Sequence, residues 1–245
     1  MATPRFLVRE ALRPGLSVLL PEAASHHARR VLRLRAADAV VLFDGEGNEF
    51  QALLDAGAAD APLVRATISG GGPVDREARV PITLVQALSA QDKLDWLVEK
   101  CVELGASRVF LAPSARSVVR LEPARRQKRA ERLREIAIAA CCQSGRNRIP
   151  VITLFDDLPA ALGAARDTAT ARWILDPGAA SGLRAGAGAP VCCAVGPEGG
   201  FTDAELALAR ALGYTPARLG ARVLRTETAG LAAITTLLAL EGEYA

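Results

Sequence analysis

The chain of 245 residues holds only two histidines and five cysteines, and neither set is arranged for metal chemistry. His26 and His27 are adjacent, so their side chains diverge and make a poor metal pair. Cys101, Cys141, Cys142, Cys192 and Cys193 lack any CxxC spacing, and two pairs are sequence neighbours whose geometry disfavours a disulfide. A disulfide-stapled secreted framework is therefore excluded, and a reducing compartment is expected. No P-loop and no serine-hydrolase elbow is present, so metal dependence is not expected. The start, MATPRFLVREALRPG, lacks an apolar signal core, and the longest apolar stretch, Ala229 to Leu240, is too short to cross a bilayer. The expected location is cytoplasmic. A net charge of +3 is too small to mark a nucleic-acid binder by its sum, and nothing repeats at a fixed period.

What is present is apolar bulk and an uneven distribution of charge. Half of the residues are hydrophobic, ample for a buried core in one large domain or two unequal ones. Between Arg116 and Arg148 ten basic residues face three acidic ones (Glu122, Glu131, Glu135), a local excess of 10 − 3 = +7 that leaves the remainder at about −4. One surface is thus strongly positive.

Residues 1 to about 75 read as a small, barrel-like β module: strands over Ala39–Phe43, Glu49–Leu54 and Leu63–Ile68, with Asp44–Gly47 as a hairpin turn. Gly70–Pro73 and the charged Asp75–Glu77 read as a linker, because glycines and charges there offer no packing face. From residue 76 onward strands and helices alternate, the pattern of a parallel sheet covered on both faces. Strands are expected over Val80–Leu88, Val109–Ala112, Val151–Phe155, Arg172–Leu175 and Val191–Val195. Helices are expected over Asp92–Leu104, stopped by Gly105, and from Pro123 to Ser144, stopped by Gly145. Pro177–Ala189, rich in glycine and alanine, reads as a mobile loop of low complexity.

Two late segments carry the chemistry. In Val195–Glu205 an apolar strand enters the glycine-rich turn Gly196-Pro-Glu-Gly-Gly200, and Thr202 with Glu205 forms a capping box that opens a helix ending at Gly213. Such a turn exposes main-chain N–H groups at a strand's C-terminal end, and its glycines let a ligand approach without meeting a Cβ. In Leu219–Ala229 a glycine turn leads through Arg225-Thr-Glu-Thr228 into an apolar helix, which Thr226 or Thr228 is expected to cap while Arg225 and Glu227 stay free.

Taken together, GPEGGFT and LGARVLRTETA resemble the signature of the RsmE family of SPOUT methyltransferases, which modify uridine N3 in small-subunit (16S) ribosomal RNA. The resemblance extends to Pro4-Arg5-Phe6, His26–Arg33, Phe43–Gly47, Lys93–Gly105, Ala115–Arg120, Gln143–Arg146 and Ile149-Pro150, nearly the whole chain. One departure is Cys142, where the family usually carries Glu. The resemblance implies an α/β fold: a SPOUT methyltransferase domain (76–245) with a C-terminal trefoil knot, preceded by a small PUA-like β-barrel domain (1–75) that binds RNA. It also implies a homodimer joined through the knotted region and S-adenosyl-L-methionine as cofactor, held by Leu175, Gly196, Gly199, Gly200 and Thr226, with Leu219, Gly220, Val223 and Leu224 enclosing the adenine. The implied partner is small-subunit ribosomal RNA or the assembled subunit.

Methyl transfer to uracil N3 is favoured by a guanidinium that stabilises negative charge on the flanking carbonyl oxygens. Arg225 is expected in that role from the cofactor side, with Arg116 or Arg146 facing the base. Glu198 or Glu227 accepts the proton or fixes loop geometry. Arg29, Arg30 and Arg33, with Arg120 and Arg125, are expected on phosphate. Two rival classes remain for comparison. A dinucleotide-dependent oxidoreductase lacks its fingerprint, since Gly45-x-Gly47 lies between strands. A non-catalytic RNA-binding or ribosome-assembly protein on the same fold has no need of the polar RTET cluster.

Overall fold

The computed structural model describes residues 3–56, 63–119 and 122–244. The chain divides into two compact units, one of Met1–Glu77 with Cys141–Ile149 and one of Ala78–Ala140 with Pro150–Ala245. In the first unit, β1 (Arg5–Leu7), β2 (Ser17–Leu19), β3 (Ala39–Phe43), β4 (Asn48–Leu54) and β5 (Arg65–Pro73) form one sheet in the order β1-β3-β4-β5-β2, with the short helix α1 (Glu22–His26) between β2 and β3 in the chain. β1 runs parallel to β3, and the remaining pairs are antiparallel. Strands β3 and β4 meet at Asp44–Gly47, where Gly45 has φ +84° and Asp44 accepts the Glu46 and Asn48 N–H groups, as a hairpin of this composition requires. Phe6, Val18, Leu42, Phe50 and Ile68, which include side chains from both edge strands, share one core.

The linker expected at Gly70–Pro73 is instead the end of β5: Gly70, Gly71 and Gly72 pair with Gln51, Phe50 and Glu49. Gly71 has φ +149°, and a Cβ there would lie 2.5 Å from Phe50 Cα and crowd the Glu49 carbonyl oxygen. Close approach of two backbones, rather than freedom from structure, explains this glycine. Residues 141–149 return to the same unit. The backbone N–H of Ile149 donates to Gly45 O, and that of Gly47 to Asn147 O. Glu49 accepts from Arg5 and Arg76, and Arg146 pairs with Glu77. The Arg76 guanidinium foremost, with Arg5 and Asn147, holds the Glu49 carboxyl at about 2 against the cost of burial.

In the second unit six parallel strands lie in the order β11-β9-β10-β6-β7-β8: β6 (Ile82–Ala87), β7 (Arg108–Ala112), β8 (Val151–Leu154), β9 (Ala171–Leu175), β10 (Val191–Val195) and β11 (Thr215–Ala217). β6 and β10 are buried along their whole length, which accounts for the unbroken apolar run of β10 and the mostly apolar run of β6. Along β10 the side chains alternate: Cys192 and Ala194 join the core under α4 (Leu158–Arg166) and α5 (Asp203–Ala211), while α2 (Gln91–Glu103) and α6 (Thr226–Leu240) pack together on the other side. In α2, Leu94, Leu97, Val98, Cys101 and Val102, spaced by three and four residues, form the buried face. In α3 (Pro123–Ser144), Leu133, Ala137, Ala140 and Cys141 are buried, and Gly145 follows at φ +85°.

The sequence reading placed no elements at β1, β2, α4 or β11. Three-residue strands carry too short an alternation to register, and α4, with Pro159 at its second position, is nearly uniform in small apolar residues. The loop 177–189 is without helix or strand, and the Glu241 carboxylate ties it down by accepting the Gly186 and Gly188 N–H groups.

Candidate active site

A cleft of about 300 Å³ opens at the C-terminal ends of β9 and β11, the edge at which open parallel sheets take up ligands. Leu175 and Asp176 at the end of β9 form one side, and the turn Arg218–Leu224 forms most of the rest. Gly220 has φ +70°, a conformation that lets this turn double back without meeting a side chain. Among the described residues, no hydrogen bond within the protein takes up the N–H groups of Leu219 to Leu224. Val223 leaves 82% of its surface exposed. A pocket with free main-chain donors and unburied apolar side chains suits a flat heteroaromatic ring with polar edges.

The glycine loop is built separately and then joined to this wall. Pro197–Gly200 is a tight turn closed by Gly200 N–H donating to Pro197 O at 2.8 Å, with Gly200 at φ +68°. Thr202 and Glu205 make the expected capping box at the start of α5. Arg116 donates to Gly199 O at 2.9 Å and to Phe201 O at 3.3 Å. The two late glycine segments meet through Thr226: its hydroxyl donates to Gly196 O at 2.5 Å and accepts from Gln86 Nε2 at 2.7 Å.

Of the residues expected to hold a cofactor, Leu175, Leu219, Gly220, Val223 and Leu224 line the cleft, whereas Gly196, Gly199, Gly200 and Thr226 do not. Thr226 also does not cap α6. It is the first helical residue, it is buried, and Arg225 holds the N-cap position with no side-chain cap. A hydroxyl already shared between Gln86 and Gly196 has no further hydrogen to give. Arg225 is exposed, and its guanidinium makes no hydrogen bond or ion pair among the described residues. Arg146 belongs to the first unit, buried against Glu77.

Glu198 is 3.2 Å and Glu227 3.7 Å from Lys93 Nζ. Of the arginines expected on RNA, Arg30 and Arg33 are exposed beside the exposed Val31 and Leu32, and Arg29 donates to Leu63 O. Arg125 is exposed next to Glu122, and Arg120 lies outside the described residues. Gln86, Lys93 and Asp176 were not singled out in the sequence. A glutamine inside the mostly apolar β6 and an aspartate just past the end of β9 were the available signals.

An RNA methyltransferase domain model matches residues 76–238, and an RNA methyltransferase PUA domain model matches residues 20–57. Ribosomal RNA small subunit methyltransferase E of Mycobacterium bovis is 33% identical over 85% of this chain and 80% of its own. The Synechocystis enzyme of the same name is 31% identical over 91% and 73%. The crystal structure of a ribosomal RNA small subunit methyltransferase E from Neisseria gonorrhoeae bound to S-adenosyl methionine superposes with a TM-score of 0.85 at 34% identity, covering 98% of both chains. With its parallel sheet, its preceding β unit and a cleft walled by the second signature, the chain belongs to the ribosomal RNA small subunit methyltransferase E family.

Proposed function

We propose that this protein is an S-adenosylmethionine-dependent 16S ribosomal RNA (uracil-N3)-methyltransferase. The observation that carries the reading is the cleft walled by Leu219–Leu224 and joined through Thr226 to the glycine loop. Bound adenosylmethionine supplies an electrophilic methyl group, so the protein's task is to orient donor and base and to manage one proton. Leu175, Leu219, Gly220, Val223 and Leu224 enclose the adenine, and the free N–H groups of the turn read its polar edge. Gly196, Gly199 and Gly200 give the rest of the donor a wall of main chain. Thr226 braces that wall from behind.

Arg225, exposed and without a partner among the described residues, stabilises charge on the uracil oxygens as N3 loses its proton. Arg116 holds the glycine loop through two carbonyls, and Glu198 or Glu227 takes the proton. Arg30, Arg33 and Arg125 contact phosphate, with residues 1–75 acting as the RNA-binding module. Two copies pair through a knotted C-terminal segment and work in the cytoplasm on the ribosomal RNA or the assembled subunit. Among the described residues, no helix is long and apolar enough to cross a membrane.

The test is direct. Adenosylmethionine should raise the unfolding midpoint of the purified protein, since a ligand specific to the native state stabilises it. Small-subunit RNA from cells lacking the protein should gain one methyl group on uridine N3, read by mass spectrometry of nucleosides. A methyl group on a ribose oxygen or a different base, or an unmoved midpoint, overturns the reading.

A further inference from the structure

An ion cluster bridges the two segments that build the site. From the first turn of α2, Lys93 Nζ lies 3.2 Å from Glu198 Oε1 on the glycine loop and 3.7 Å from Glu227 Oε2 in the first turn of α6. The Glu227 side chain is 11% exposed, and its Oε2 is buried without a hydrogen-bond partner. Arg225 precedes it in the chain and is exposed. Lys93 is therefore the one cation paired with this carboxylate among the described residues. Burial strips a carboxylate of hydration, and a paired ammonium offsets part of that loss.

We propose that Lys93 is a positioning residue for methyl transfer, which acts through the two carboxylates and touches neither donor nor base. Its ammonium ties Glu198 on the glycine loop to Glu227 on α6 and so fixes the loop against the helix. Without it the buried Glu227 oxygen has no cation beside it, and the loop that walls the donor loses its tie to α6.

This inference rests on the methyltransferase reading above. Turnover is to be measured for the full-length protein and for Lys93→Met and Lys93→Arg, with donor affinity measured by calorimetry and folding by circular dichroism. In Lys93→Met kcat should fall about tenfold while KM for RNA and donor affinity stay within about threefold. Lys93→Arg should restore kcat to within about threefold of wild type, and it keeps the test open should the Met variant fail to fold, since in that case a folded Arg variant with kcat about tenfold down overturns the proposal. An unchanged kcat in a folded Lys93→Met overturns it as well. If the wild type itself neither binds the donor nor methylates RNA, the failure belongs to the functional reading and not to Lys93.

Discussion

At the residue scale, the three arginines expected near the base have different uses in the folded chain. Arg116 is committed to two loop carbonyls and Arg146 to Glu77, which leaves Arg225 as the one without a partner among the described residues. Residue type and membership of segments that resemble the family marked all three alike; only the fold distinguishes those that brace from the one that can act. Replacing Arg225 by Ala should therefore leave adenosylmethionine affinity within about threefold while kcat falls by about a hundredfold or more. Calorimetry beside single-turnover kinetics separates the two effects, and unchanged turnover would remove Arg225 from the mechanism. Thr226 shows the opposite case. In sequence it reads as a helix cap, yet its hydroxyl serves Gln86 and Gly196, partners 140 and 30 residues away that no local pattern indicates.

At the scale of elements, legibility followed periodicity. α2 and α3 carry apolar residues at three and four residue steps over several turns, and their buried faces are the ones those steps imply. The three glycines of Gly70–Gly72 mislead, because glycine at a point of close backbone approach looks in sequence like glycine in a linker. Gly71→Ala should cost about 2–4 kcal/mol of stability, whereas Gly70→Ala and Gly72→Ala, where a Cβ meets nothing within 4 Å, should each stay within about 1 kcal/mol. Denaturant unfolding of the three variants checks this. Equal losses at all three positions would mean that the close approach at Gly71 is not what matters.

At the scale of the whole molecule, residues distant in sequence are drawn into shared ion pairs. Glu49 joins Arg5 and Arg76, with Asn147 completing its surroundings, so three separate stretches depend on one carboxylate. Its folded-state value, about 2 against an ordinary 4.5, is depressed, so the stability it contributes is fully present above about pH 4.5 and is lost as pH falls toward 2. Allowing for the exposure of Arg76, that contribution is about 2 kcal/mol. Unfolding free energies of wild type and Glu49→Gln, measured from pH 7 to 2, should differ by about that amount at neutral pH and converge in acid. A constant gap would show that Glu49 acts by packing and not by charge.

The amino-acid sequence alone determined the class of the fold, the places of the long helices and central strands, and the two glycine-bearing signatures, because each depends on spacing within one short segment. What the tertiary structure decided is which of those residues face one another: the cleft between Leu175 and the 218–224 turn, the bridge from Gln86 through Thr226 to Gly196, and the return of residues 141–149 to the first unit. The physical reason is that a hydrogen bond or ion pair between distant residues leaves no trace in the periodicity of either, since its geometry exists only once the sheet has brought the strand ends together.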